Sequence, residues 1–459
     1  MSDRVTGFLR HLLGTVTEQG RGLLDRALRP ISGPQPLLQM PLADLVRLLL
    51  TSRGEASGVA IAREIMSRYA GLARPERLEF LRILTLEFSA DPTRVKAAFA
   101  AYDAEPDEAR LHALGLAVEP PRQDVLRRLN LAPGNTLGLV RMRENLLDAL
   151  PTMPELKPLD RDFMHLFASW FNRGFLLVKR IEWTSPAHIL EKIIRYEAVH
   201  AIRSWDDLRR RIDPPDRRCY AFFHPSLADE PLIFVEVALM AEMPSAIEPI
   251  LTENRPLLAP EQATHAVFYS ISNCQRGLGA ISFGNFLIKQ VVEELRRDLP
   301  SLATFVTLSP VPGFRAWVDA ELDNPASPFI SDDDRAVLTN YRDDKADPDD
   351  VEGFRTTSRQ LLARYFLDAR TAHGRMIDPV ARFHLGNGAR LEQLNPLADF
   401  SEKGWRESYS AMVNYLYDLP SIEENHESFA IRGIVAASPG VHENARLSRQ
   451  RLSRQVQAS

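Results

Sequence analysis

A glycine-rich segment in the second half of the chain has the residue types and spacing of an anion-binding loop. The apolar run 266–271 predicts a strand, and the turn QRGLGA follows at residues 275–280. Apolar residues then recur at three- and four-residue steps over 288–299, which predicts a helix. Free N–H groups at a helix N-terminus attract phosphate, and glycines allow close backbone approach. The order therefore favours phosphate binding, although neither the Walker nor the G-x-G-x-x-G pattern is present and a simple tight turn is the alternative.

Two further positions carry residue types suited to proton transfer and hydrogen bonding. His384 has an imidazole that ordinarily titrates near neutrality and can deliver a proton. Ser309 follows the predicted strand 304–308, and Thr307 lies two residues away on the same strand face as a competitor for the hydroxyl role. Each also has a structural alternative, because a histidine between apolar neighbours is often a packing residue and a serine before proline is often a turn residue.

The elements that must position these residues fall into two parts. From Leu42 to about Arg173 the pattern predicts successive helices, separated by breaks such as Asp91-Pro92, which is typical of a helix N-cap. Strand-like and helical runs then alternate, which predicts an α/β or α+β domain with a boundary near residue 175. Acidic runs at 332–334 and 347–350 are expected to be solvated, and the last dozen or so residues are expected to fray.

Several longer segments carry a family resemblance. They are the glycine-rich block, PLIFVEVAL at 231–239, TLSPVPGF at 307–314, DPVARFHLGNGARL at 378–391, MVNYLYDL at 412–419 and IEENHESF at 422–429. In this order they resemble the malonyl-CoA decarboxylase family, whose catalytic domain is similar to the GNAT-type N-acetyltransferase fold. The N-terminal part resembles the helical domain of the family more loosely.

The resemblance implies an all-α N-terminal helical bundle plus an α/β (α+β) GNAT-like catalytic domain. Residues 1–175 would form the bundle and mediate oligomerisation, as a dimer or tetramer, and residues 176–459 would form the catalytic domain. Ser309, His384 and Tyr417 fall on catalytic positions of the family, with Tyr415 as the alternate tyrosine. The substrate and CoA would be bound by Gly277, Gly279, Ala280, Ile281, Ser282, Phe283, Gly284, Asn285, Ser309 and His384.

Composition narrows the range of partners. The 459 residues carry a net charge of −5, which gives no reason to expect nucleic acid. The two cysteines, Cys219 and Cys274, argue against a disulfide framework, and no zinc-binding spacing is present. No apolar run reaches the roughly 18 residues of a membrane span. We therefore expect no metal, no cofactor and no membrane association, and a cytoplasmic location.

The predicted activity is conversion of malonyl-CoA to acetyl-CoA and CO₂. Loss of CO₂ leaves an enolate that the site must stabilise, and we expect His384 to protonate C2 while Ser309 contacts the carboxylate or the enolate. The first alternative is an acyl-CoA N-acetyltransferase that uses the same loop. A second is a non-catalytic CoA-sensing protein.

Overall fold

The computed structural model describes residues 39–281, 286–342 and 351–458, and the structural statements below concern these residues. Their contacts divide into two compact units. The helical unit contains the described residues up to Leu176 together with His224–Glu230 and 275–281. The sheet unit contains Leu177–Phe223, Pro231–Cys274 and the described residues from 286 onward. Two short segments of the predicted catalytic region thus pack with the helices.

The helical unit contains eight α-helices in its described part. Asp91 caps the fourth by accepting a hydrogen bond from the Thr93 N–H at 2.8 Å, as the Asp-Pro pair predicts. The apolar stripe of each core helix is buried, as Leu45, Leu84 and Leu139 show with no exposed surface. The helices are α1 Leu42–Thr51, α2 Glu55–Gly71, α3 Arg74–Glu87, α4 Pro92–Ala104, α5 Glu108–Val118, α6 Pro121–Asn130, α7 Asn135–Ala149 and α8 Lys157–Trp170.

The sheet unit is built on a mixed sheet of eight strands in the order β1-β2-β3-β4-β5-β8-β6, with β7 pairing on β8. Only the β4–β5 pair is parallel among the described strands. Strand β2 is buried throughout and β3 nearly so, which explains why both are mostly apolar, with only Arg217, Arg218 and Glu236 charged. The strands are β1 Leu177–Ile181, β2 Arg217–Phe223, β3 Pro231–Met240, β4 His265–Asn273, β5 Thr304–Thr307, β6 Ser309–Pro310, β7 Arg390–Asn395 and β8 Met412–Leu416.

Helices connect and cover these strands. The predicted strand–loop–helix–strand segment is present as β4, the helix α12 (Phe286–Asp298) and the parallel strand β5. Helix α12 buries Ile288, Val291 and Leu295. The fold class predicted from the sequence, a helical part followed by a mixed α and β part, is therefore confirmed. The helices are α9 Ala187–Tyr196, α10 Trp205–Ile212, α11 Glu248–Leu251, α12 Phe286–Asp298, α13 Phe314–Leu322, α14 Asp332–Arg342, α15 Val351–Leu367, α16 Pro379–Gly386, α17 Glu402–Ser408, α18 Ile422–Arg432 and α19 Pro439–Ala458.

Two expectations about the polar segments hold only in part. Asp332 and Asp333 are exposed, as expected for the acidic run 332–334. Asp334 is buried, and its carboxylate accepts hydrogen bonds from Ser331 Oγ at 2.7 Å and from Arg451 Nη1 at 2.9 Å. The C-terminal residues form α19, which packs on α15. Within the last dozen residues, Ser448 is buried and Arg449 pairs with Asp368, so this part of the tail is held in place. Ion pairing with a distant helix therefore orders a segment whose own apolar content is low. The acidic run 347–350 lies outside the described residues.

Candidate active site

Ser309, His384 and Tyr417 are joined by hydrogen bonds inside the sheet unit. His384 Nε2 lies 3.2 Å from Ser309 Oγ, and His384 Nδ1 lies 2.8 Å from Tyr417 Oη. All three side chains are at most 5% exposed. Tyr415 takes a different position, stacked on the imidazole with ring centroids 4.5 Å apart. The three residues predicted to be catalytic are therefore in mutual contact.

Helix α16 brings His384 to this point. Asp378 caps the helix by accepting from the Ala381 N–H at 2.7 Å, and Pro379 occupies the first helical position. Gly388 ends the segment with φ +79°, and a Cβ there would lie 2.1 Å from the Ile422 carbonyl oxygen. The glycine is therefore needed both for its backbone conformation and for close approach.

Hydrogen bonds among strands β5, β6, β7 and β8 position Ser309. Ser309 Oγ donates to Thr307 Oγ1 at 2.8 Å, and the same Thr307 oxygen accepts from the Tyr415 N–H at 3.2 Å. Asn414 Nδ2 donates to the Thr307 carbonyl at 2.9 Å, and Asn395 Nδ2 donates to Asn414 Oδ1 at 2.6 Å. Thr307, proposed from the sequence as a competitor for the hydroxyl role, is thus the acceptor that orients Ser309.

The direction of these hydrogen bonds follows from the state of Tyr417. Burial raises the pKa of Tyr417 well above its usual value, so the phenol stays protonated. The protonated phenol can donate its hydrogen to His384 Nδ1, 2.8 Å away. The neutral imidazole then carries its hydrogen on Nε2 and donates to Ser309. Ser309 therefore faces no base that would activate it as a nucleophile.

The protonation of His384 differs from the sequence-based expectation. Burial lowers its pKa to about 3, because the charged imidazolium would lose its hydration without gaining an anionic partner. The expectation that this imidazole titrates near neutrality is therefore wrong for the substrate-free site. At neutral pH the side chain is uncharged.

The glycine-rich loop packs within the helical unit. The N–H groups of Leu278, Gly279 and Ile281 donate to carbonyls three residues earlier at 2.9–3.0 Å, and the Gly277 N–H donates to Glu144 Oε1 at 3.3 Å. A Cβ on Gly277 would lie 2.0 Å from the Val140 carbonyl oxygen. Gly277 is therefore required by packing, and the N–H groups of Gly277 and Gly279 are already bonded. Ala280, at φ +65°, has no such partner among the described residues.

The CoA-binding assignment of Ser282, Phe283, Gly284 and Asn285 lies outside the described residues.

Among the described residues no group of three histidine, cysteine, aspartate or glutamate side chains could hold a metal ion. Within the same part of the chain, no helix is long and apolar enough to cross a membrane. The cytoplasmic location stays a prediction.

Arg143 holds the loop and was not singled out from the sequence, because an arginine on a helix is usually exposed. It is 1% exposed, donates from Nη1 to the carbonyls of Gly277 at 2.8 Å and Gly279 at 2.9 Å, and pairs with Asp160 at 2.8 Å. Its burial is explained by the two loop carbonyls, more than 130 residues away in sequence, and by Asp160, which is 17 residues away.

Replacing Arg143 should be strongly destabilising. We expect Arg143→Gln to lower the free energy of unfolding by about 3 kcal/mol, because removing one partner of a buried ion pair leaves the other uncompensated. Chemical denaturation measures the effect. Arg82→Gln is the matched control, since the Arg82–Glu79 pair is about half exposed and should contribute little to stability. Equal losses in the two variants would contradict the assignment.

A mixed sheet bearing a buried hydroxyl–imidazole–phenol chain has the groups that an enzyme needs for positioned hydrogen bonds and proton transfer. The protein families that this chain matches are consistent with this class of enzyme. Residues 174–456 match the family described as Malonyl-CoA decarboxylase C-terminal domain, and residues 88–171 match Malonyl-CoA decarboxylase N-terminal domain. The chain belongs to the malonyl-CoA decarboxylase family.

Individual relatives give the extent of the similarity. The mitochondrial malonyl-CoA decarboxylase of Anser anser anser is 33% identical over 402 residues, which cover 80% of this chain and 79% of the goose protein. The crystal structure of malonyl-CoA decarboxylase from Rhodopseudomonas palustris is 52% identical with a TM-score of 0.84, covering 89% of this chain and 100% of that one. The structure from Agrobacterium vitis is 55% identical with a TM-score of 0.84, covering 88% and 99%. The predicted family and enzyme class are confirmed.

Proposed function

We propose that this chain decarboxylates malonyl-CoA to acetyl-CoA and CO₂ through the Ser309–His384–Tyr417 chain. Membership of the family supports the substrate and the reaction. The single observation that carries the mechanism is the placement of His384 Nε2 against Ser309 Oγ, with Nδ1 held by Tyr417. The hydrogen-bond donor and the proton donor that the reaction needs, Ser309 and His384, are therefore adjacent.

In the reaction the bond between C2 and the carboxylate carbon breaks and CO₂ leaves. The electron pair passes into an enolate shared between C2 and the thioester oxygen, and C2 then takes up one proton. Ser309 turns its hydroxyl from Thr307 toward the carboxylate or the enolate oxygen. His384 delivers its Nε2 proton to C2, and Tyr417 keeps the ring oriented at Nδ1.

The proton reaches His384 together with the substrate. Burial without an anionic partner disfavours the imidazolium of His384 in the protein alone. A malonyl carboxylate beside Nε2 supplies that partner and favours the charged form. We therefore propose that binding of malonyl-CoA takes up one proton from solution, which later becomes a hydrogen of the acetyl group.

For CoA we propose a narrower role for the glycine-rich loop than the sequence suggests. Gly277, Gly279 and Ile281 shape the loop, since their N–H groups are already bonded. The Ala280 N–H is the described donor suited to a pyrophosphate oxygen. A positive φ at Ala280 supports a functional reason for this conformation, because such a conformation is uncommon for a non-glycine residue.

Mass spectrometry of malonyl-CoA incubated with chelator-treated protein tests the activity. We expect acetyl-CoA to accumulate with no amine present, which excludes a pure N-acetyltransferase. Recovery of unchanged malonyl-CoA would favour the non-catalytic alternative and contradict the proposal. The His384→Asn protein serves as the control for contaminating activity.

We further propose that the helical unit mediates self-association, as the predicted dimer or tetramer requires. Helix α4 buries none of its residues and α5 buries only Ala117, while Phe99 and Leu116 are each 55% exposed. An apolar surface on two adjacent helices suits contact with a second copy.

The substitutions Phe99→Glu and Leu116→Glu together should lower the molar mass measured by light scattering to that of a smaller assembly, because charges at such a contact would be desolvated. Ile431→Glu is the control, since Ile431 is 80% exposed on α18 of the sheet unit. An unchanged mass in the double variant would exclude this surface. Truncation near residue 175 is a poorer test, because segments 224–230 and 275–281 would lose the helices on which they pack.

A further inference from the structure

The helical unit contains a cavity of about 500 Å³ that has no part in the Ser309–His384–Tyr417 chain. Helices α2, α3 and α7 provide its walls. We name it the Arg77–Arg141 cavity; its lining includes Met66, Tyr69, Arg77, Leu137, Arg141 and Asn145. This volume lies within the usual range for small-molecule sites and greatly exceeds what a single phosphate ion needs.

The charged side chains that line the cavity are all positive. Arg63, Arg77 and Arg141 line the cavity, and no aspartate or glutamate is among the described lining residues. Arg141 forms no ion pair with any residue that the structure describes. Arg77 uses Nη2 to donate to the Ala70 carbonyl at 2.8 Å, while its buried Nε has no partner in the described chain. Such a surface favours an anion with several charges.

Two neutral groups add directed donors. Tyr69 is 3% exposed, and its hydroxyl oxygen accepts from Asn145 Nδ2 at 3.3 Å, which leaves the hydroxyl hydrogen without an acceptor among the described residues. Helix α7, of 15 residues, begins beside the cavity after Gly134, which provides no side-chain cap. The first N–H groups of a helix and its dipole attract anions. Met66 and Leu137 add apolar surface for an uncharged part of the ligand.

We propose that the Arg77–Arg141 cavity binds a nucleotide that carries more than one phosphate group. Arg77 and Arg141 contact the phosphates, the Tyr69 hydroxyl donates to a phosphate oxygen, and the apolar wall contacts the base or ribose. The ligand is either the nucleotide end of CoA or a free nucleotide, since both present the same chemistry. Nucleotide binding here does not depend on the proposed catalysis, because no catalytic residue lines the cavity.

Isothermal titration of the full-length protein with adenosine 3′,5′-bisphosphate tests the proposal. We expect saturable binding that Arg141→Gln and Arg77→Gln each weaken by about ten- to a hundredfold, as expected for loss of a charged hydrogen bond. Arg74→Gln, on the exposed start of α3 outside the cavity, should bind like the wild type. Arg141 is exposed, so its variant should fold normally. Absence of binding at about 1 mM probe, or equal affinity in Arg141→Gln and wild type, would overturn the proposal.

Two further measurements identify the source of the nucleotide. If acetyl-CoA displaces the probe and Arg141→Gln raises KM for malonyl-CoA with kcat unchanged, the cavity holds the nucleotide end of CoA. If the probe and acetyl-CoA bind together and KM is unchanged, the cavity holds a separate nucleotide. Either result supports the site. Wild-type decarboxylation without probe binding would overturn this inference alone, whereas probe binding without decarboxylation would overturn only the proposed function.

Discussion

Replacing His384 with asparagine is expected to lower kcat by about 10²–10⁴-fold, the usual contribution of a positioned general acid. Asparagine retains a polar side chain that can contact Ser309 or Tyr417, but it has no acidic proton to deliver to C2. KM should change less than kcat, because binding of the CoA portion does not depend on this side chain. Steady-state decarboxylation assays measure both constants.

His442→Asn provides the matched control, since His442 is exposed on α19 and should be replaceable without loss of activity. Retention of the wild-type kcat in His384→Asn would show that another group protonates C2, with Tyr417 the next candidate.

The pH dependence of kcat/KM and kcat should show the proton uptake that accompanies substrate binding. With a pKa of about 3, His384 is neutral in the free enzyme above that pH, whereas the productive complex requires the imidazolium. Between about pH 5 and pH 8, log kcat/KM should therefore fall by about one for each pH unit. By contrast, kcat should fall only above the raised pKa of the substrate complex. A flat kcat/KM profile in the wild type would contradict uptake of a proton by His384, and the slope should disappear in His384→Asn.

Ser309→Ala should lower kcat by on the order of 10²-fold or more, as does loss of a hydrogen-bond donor to a developing oxyanion. The structure favours this role over covalent catalysis, because Ser309 donates to Thr307 and receives a hydrogen bond from His384. Rapid-quench kinetics and intact-protein mass spectrometry measure the rate and any adduct.

Thr307→Ser is the informative control for this variant. It keeps the hydroxyl that accepts from Ser309 and from the Tyr415 N–H, so kcat should stay close to the wild-type value. Isolation of a malonyl or acetyl ester on Ser309 would refute the hydrogen-bonding role and indicate a nucleophile.

The sequence by itself determined the features that depend on neighbouring residues. The apolar period over 288–299 identified a helix between two strands, and the Asp91-Pro92 pair identified the start of a helix in the N-terminal part. Ser309, His384 and Tyr417 were selected by family resemblance, since residue type alone left structural alternatives for each. That they form one hydrogen-bonded chain is a property of the fold, because Ser309 and His384 are 75 residues apart.

Only the tertiary structure decided the protonation state of the site. It also explained why a glycine is required at one position and why a carboxylate is buried at another. His384 is neutral because the fold buries it against Tyr415, and no local pattern encodes that loss of hydration. Gly277 is needed because the backbone of α7 passes 2.0 Å from where its Cβ would lie. Asp334 lies in an acidic run typical of a solvated surface, yet Arg451 neutralises it inside the protein. Helix periods and caps arise from residues within a few positions of each other, whereas desolvation and charge pairing arise from groups that only folding brings together.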